Sequence, residues 1–149
     1  MARVTTPLVP FESLSGADVY DVLALRQRVF VVEQACAYLD ADGLDRNARH
    51  LLLREGGALV AYTRVLPAGA RFATITIGRV VVSPEHRGRE LGRRVMNETI
   101  AAIEASEGTV PISLAAQAHL ERFYGSLGFV TISPRYDEDG IPHLDMRRG

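Results

Sequence analysis

Cysteine is almost absent from this chain: Cys36 stands alone among 149 residues. That excludes an intrachain disulfide and a cysteine-rich metal site, and it points to a reducing, cytoplasmic setting. Long apolar runs are missing too. The N-terminal MARVTTPLVPFESL has no apolar core of signal-peptide length, and no later segment approaches the span of a bilayer, so no membrane partner is expected. Nor is there an excess of one charge. Seventeen basic residues against 18 acidic ones leave a net charge of −1, which offers no broad face to a polyanion and argues against a nucleic-acid partner. Internal repeats, low-complexity stretches and interdomain linkers are lacking as well. A chain of 149 residues with 47% apolar and 23% charged content fits one globular domain spanning residues 1–149.

Against this even balance one stretch stands out, Ile75 to Val95, ITIGRVVVSPEHRGRELGRRV. Ile75, Ile77, Val80, Val81 and Val82 are β-branched and suit a central strand covered on both faces. Gly78 interrupts that strand and marks a bulge or a close approach by another backbone or a ligand. Ser83-Pro84 ends it. From His86 to Arg94 the chain then carries Arg87, Arg89, Arg93 and Arg94 against Glu90 alone. Leu91, Val95, Thr99 and Ala102 in one row, with Met96, Ile100 and Ile103 in the next, predict a helix from Arg89 to about Ser106. A helix N-terminus presents unpaired N–H groups and a positive dipole end, so an arginine-edged, glycine-bearing turn there is suited to phosphate. The nucleotide motifs G-x-x-x-x-G-K-[ST] and G-x-G-x-x-G are both absent.

The remaining chain reads as support for that turn. Pro7 to Leu14 predicts a short edge strand, and Ser15 with Asp18 a capping box that opens a helix running to about Val32. Its apolar face is Val19, Val22, Leu23, Leu25, Val29 and Phe30, with Arg26, Gln27 and Arg28 off it. Glu33 to Arg49 is polar and fails the spacing of a calcium loop, so a solvated loop is expected, in which Asp40, Asp42 and Asp45 could attract a cationic amine. Leu51–Arg54 and Ala58–Val65 form a hairpin through Glu55-Gly56-Gly57. Pro111–Ala115 is a strand parallel to Ile75–Val82, since a helix crosses between them. Gln117–Leu127 is a helix burying Leu120, Phe123, Tyr124 and Leu127, and Gly128 caps it. Phe129–Ser133 and His143–Arg147 close the fold around Glu138-Asp139-Gly140.

The run Arg87-Gly88-Arg89-Glu90-Leu91-Gly92 resembles the [QR]-x-x-G-x-[GA] signature of the GCN5-related N-acetyltransferases (GNAT), with Glu90 in the place of the first glycine. Phe123-Tyr124 followed by Leu127-Gly128-Phe129 resembles that family's F-Y-x-x-x-G-F. The ElaA-like branch is similar over most of the chain, in Phe30-Val31-Val32-Glu33-Gln34, Ile77-Gly78-Arg79-Val80, Ala116-Gln117-Ala118-His119-Leu120 and Glu138-Asp139-Gly140-Ile141-Pro142-His143. The resemblance implies an α/β fold of the acyl-CoA N-acyltransferase type. Its mixed central sheet is an antiparallel meander followed by a β-α-β crossover, whose two parallel strands pair and then splay.

It further implies transfer of an acetyl group from acetyl-CoA to a primary amine by direct attack. Arg87, Gly88, Arg89, Glu90, Leu91, Gly92 and Arg93 would cradle the pyrophosphate, provided that Arg93 or Arg94 engages the Glu90 carboxylate. Val80 and Val82 would pair with the pantetheine amides, and the backbone near Val81 or Val82 would stabilise the oxyanion. Gln117 stands where an asparagine touching pantetheine is usual, and Tyr124 matches the tyrosine that protonates the leaving thiolate. For the base, Glu33 is the first choice, with His119, His143 and Asp145 as alternatives. A homodimer is admitted. The rival readings are a non-catalytic CoA-binding sensor or interaction module and, more weakly, a nucleic-acid-binding protein using the arginine turn.

Overall fold

The computed structural model describes residues 7–149 and, before them, the backbone of Arg3–Thr5. β1 (Arg3–Thr5) and β2 (Val9–Pro10) are short edge pieces, both antiparallel to β3 (Arg49–Glu55). Pro10 offers no N–H to a ladder, and the chain turns away at once through Phe11–Ser13. The Ser15 hydroxyl accepts from the Asp18 N–H at 3.0 Å while the Asp18 carboxylate accepts from the Ser15 N–H at 3.1 Å. This reciprocal cap starts α1 (Gly16–Arg26), which widens into a π-helical stretch, Gln27–Glu33.

Gly56 and Gly57, with φ of 58° and 84°, supply the two left-handed residues that a two-residue hairpin needs, and they join β3 to β4 (Ala58–Leu66). β4 pairs antiparallel with β5 (Ile75–Val82), and the register shifts so that Arg79 and Val80 face Thr63 alone. The bulge thus lies one residue beyond Gly78. Arg79 rather than the glycine takes the left-handed conformation, with φ 50°. Two contacts hold it there: its Nε lies 2.9 Å from an Asp40 carboxylate oxygen, and its guanidinium stacks 5.7 Å from the centre of the Tyr38 ring.

α2 (Leu91–Glu107) crosses back to β6 (Ile112–Gln117), which runs parallel to β5. The helix expected over 117–127 is instead a 3-10 turn, Ala118–Leu120, and a short α3 (Glu121–Gly125). β7 (Val130–Thr131) and β8 (Tyr136–Glu138) both pair with β9 (Ile141–Arg148). β8 is absent from the sequence reading because Tyr136-Asp137-Glu138 carries no apolar alternation; its pairing follows from the left-handed Asp139-Gly140 turn, φ 53° and 81°. Among the described residues, nine strands make one sheet in the order β1-β3-β4-β5-β6-β9-β7, with β2 on β3 and β8 on β9. α2 and α3 cover one face through Met96, Ile100, Ile103 and Tyr124, and α1 with the π-helical stretch covers the other through Val22, Leu25 and Val29. No helix among the described residues is long and apolar enough to cross a membrane.

Two expectations about the first half need correction. Arg26 does not lie off the buried face: it is 0% exposed. The acidic stretch after Glu33 is not simply solvated, because it wraps around two buried arginines and a part-buried third. Arg26 binds Asp40 at 2.9 Å and Asp45 at 2.7 Å, Arg64 binds Asp42 at 2.8 Å and Asp45 at 3.0 Å, and Arg79 binds Asp40 and Asp42. Three guanidinium groups balance three carboxylates. Nothing in that cluster is left over to attract an amine.

Candidate active site

β5 and β6 are in register at only two positions, Ile75 opposite Ile112 and Thr76 opposite Ser113. Beyond them each strand keeps a ladder on its outer side, β5 with β4 and β6 with β9, and the inner edges part. The wedge between them opens into a cavity of about 730 Å³, within the range of small-molecule and cofactor sites. Backbone groups line it. The Ser83 N–H donates to the Val60 carbonyl at 2.8 Å, so the antiparallel alternation turns Val81 toward β4 and Val82 toward the wedge.

At the end of β5 the turn leads into α2. Glu90, its N-cap residue, is left-handed with φ 59° and ψ 23°, and its side chain does not cap the helix. The first-turn amides therefore receive no cap from Glu90, whose carboxylate turns to Arg93, 3.4 Å away. Gly92 lines the cavity, where a Cβ would stand 3.7 Å from the Phe123 ring and 3.9 Å from Val82. Uncapped amides, a floor without a side chain and the Arg87 guanidinium at one edge are what a phosphate group requires.

The structure divides the residues expected to bind cofactor. Val80, Val81, Val82, Arg87, Gly92, Gln117 and Tyr124 line the cavity. Gly88, Arg89, Glu90, Leu91 and Arg93 are absent from its wall. The Leu91 side chain is core, 2% exposed. Arg89 reaches Glu55 at 3.5 Å, while Arg93 stacks over Phe123 and donates to the Ser126 hydroxyl at 3.1 Å.

Tyr124 is 7% exposed, packed edge-on against Phe123 and Phe129, and its hydroxyl has no protein partner among the described residues. Burial pushes its pKa up to about 12, so at neutral pH it is a proton donor. Glu33 also lines the cavity, but Arg87 grips it with two bonds of 2.6 and 2.8 Å. Those bonds hold the Glu33 carboxyl below the usual range and weaken it as a base. Of the other candidates, Asp145 lies off the cavity and accepts from the Tyr136 hydroxyl at 2.6 Å, and His119 is exposed at the rim. His143 is 8% exposed and on the wall; with Nδ1 donating to the Ile141 carbonyl at 2.8 Å, Nε2 is the ring's acceptor nitrogen, and the Glu138 carboxylate lies 3.4 Å from it.

Residues 19–148 match the acetyltransferase (GNAT) domain family. The chain belongs to the GNAT acetyltransferase family. ElaA of Escherichia coli is 43% identical over 137 residues, covering 91% of this chain and 90% of ElaA. The crystal structure of E. coli ElaA superposes with a TM-score of 0.92 at 39% identity, over 99% of this chain and 100% of that one. An acyl-CoA N-acyltransferase from Pseudomonas aeruginosa superposes with a TM-score of 0.90 at 39% identity, over 99% of each. An aminoglycoside 6'-N-acetyltransferase crystallised with coenzyme A shares the fold, with a TM-score of 0.73 at 15% identity over 97% of this chain and 96% of that one.

On this GNAT scaffold, sequence reasoning overlooks Arg64, Arg71 and Gln34, which also line the cavity. An arginine inside an apolar strand run signals a buried partner, so Arg64 between Thr63 and Val65 could have been found. Gln34 carries no such signal.

Proposed function

We propose that this GNAT domain binds acetyl-CoA in the wedge between β5 and β6 and transfers the acetyl group to a primary amine by direct attack. The observation that carries this reading is the parting of β5 from β6 after Thr76 and Ser113, beside an uncapped helix start. Family membership supports the CoA donor. When bound, acetyl-CoA supplies the acyl carbon already activated as a thioester.

The chain's own residues would do the rest. The α2 amides and Arg87 hold the phosphates, with Gly88, Arg89, Glu90, Leu91, Gly92 and Arg93 shaping the turn, while Val80, Val82 and Gln117 hold the arm. The N–H of Val82, rather than that of Val81, which is turned toward β4, faces the charge that develops on the carbonyl oxygen. His143, its tautomer fixed by Ile141, accepts the proton that the amine loses as its nitrogen bonds to carbon. Tyr124 delivers a proton to the sulfur as the carbon–sulfur bond breaks. Glu33 can serve as base only when Arg87 releases it.

Incubating the protein with acetyl-CoA and a panel of small amines, peptides and aminoglycosides should release thiol and yield acetylated acceptors by mass spectrometry. Calorimetric binding of CoA with no thiol release for any amine would leave a non-catalytic CoA-binding module. An absence of CoA binding would refute both readings.

A further inference from the structure

Residues 33–36, starting at the last residue of the π-helical stretch, cross the mouth of the wedge. Ala35 in their midst is left-handed, φ 50°. Glu33 is bound to Arg87, just past the end of β5. Gln34 accepts from the Gln117 amide, at the end of β6, at 3.3 Å. Cys36 donates to the Asp139 carbonyl, in the β8–β9 turn, at 3.2 Å. The segment is thus tied to both banks of the gap and to the turn beyond. A second pair, Arg28 with Glu85 at 2.9 Å, fastens the π-helical stretch to the same post-β5 turn.

We propose that Glu33 and Gln34 form a strap that closes the cavity by occupying the two side chains the cofactor needs, Arg87 and Gln117, so that the cofactor must displace it to dock. This rests on the acetyl-CoA reading above. The physical basis is donor capacity. Arg87 presents one edge of its guanidinium to each bidentate partner, and Glu33 takes both Nη atoms. A phosphate arriving at the same fork must share it or replace the carboxylate, and two anions on one cation repel. The Gln117 amide meets the same competition from the pantetheine arm, without charge. Glu33 is exposed, so exchange with water at the pair is open and the barrier to release is small.

The test is calorimetric and uses the whole chain. Glu33→Gln should tighten CoA about threefold, the scale of an exposed ion pair, and leave pantetheine, which has no phosphate, unchanged. Gln34→Ala should tighten both ligands about twofold. In an Arg87→Ala background the Glu33→Gln gain should vanish, because the contested donor is gone; a mere long-range charge effect would persist there. A Kd for CoA unchanged in Glu33→Gln, or a gain that survives Arg87→Ala, overturns the strap. Failure of the unaltered protein to bind CoA at all would instead sink the acetyl-CoA reading.

Discussion

A phenol whose ring packs against two aromatic rings, while its hydroxyl has no protein partner among the described residues and borders the cavity, is left to bond with water or a ligand. Tyr124 meets that description on the cavity wall. Its raised pKa keeps the proton on oxygen throughout the neutral range, so it gives a proton rather than takes one. Tyr124→Phe should lower kcat about a hundredfold and leave the Kd of CoA within about twofold, measured by thiol release and calorimetry. Unchanged turnover would remove the hydroxyl from the reaction. Tyr124 is legible in the sequence through a helical stripe and a family motif. His143 is legible only as one of four candidates, because its tautomer and its burial depend on a hairpin whose other strand has no apolar pattern. Glu90 is the reverse case: its place in the motif is plain, yet its left-handed backbone, strained by about 1 kcal/mol or more for a residue with a Cβ, appears only in the structure.

At the scale of elements, strands and helices with strong periodicity sit where the sequence puts them: β5 spans the expected Ile75–Val82, and α2 buries Leu91, Val95, Met96, Thr99, Ile100 and Ile103. The loop after Glu33 is illegible because its order comes from ion pairs reaching across the fold. Arg26, Arg64 and Arg79 come from α1, β4 and β5, so no local pattern announces the cluster. Its contribution can be read against a control on the same helical run. Arg26→Ala strips Asp40 and Asp45 of a buried partner and should cost about 3–5 kcal/mol. Arg28→Ala removes an exposed, solvent-screened pair with Glu85 and should leave the midpoint almost unchanged. Urea denaturation of the two variants separates them, and equal midpoints would mean that the cluster is not what orders the loop.

For the whole molecule, near neutrality conceals the segregation of charge. All 17 basic residues are arginine, whose planar fork grips carboxylates with two bonds; Arg26 and Arg64 are buried and Arg79 part-buried, all three bound to Asp40, Asp42 or Asp45. Stability should then fall with acid in two steps. His50 is held by the Tyr62 hydroxyl, 2.6 Å from Nδ1, and by the Asp45 carbonyl, 2.9 Å from Nε2, which fixes a neutral ring donating through Nε2. Burial lowers its pKa from the ordinary 6.5, so the unfolded chain takes up that proton first and stability drops as pH falls below about 6.5. The second step belongs to the acids. Burial alone would raise Asp42, but hydrogen bonds and charge from Arg64, with a backbone N–H from Leu44 and the charge of Arg79, hold it to about 2; Arg26 and Arg64 likewise hold Asp45 down against its burial. Their stabilisation is complete above the ordinary carboxylate value of 3.8 and is lost as pH falls toward 2. Denaturant unfolding across a pH series should show both steps. His50→Gln, whose amide can still donate to the Asp45 carbonyl, should erase the upper step and keep the lower one. A single transition confined below about pH 4 in the unaltered protein would show that His50 carries none of the pH dependence.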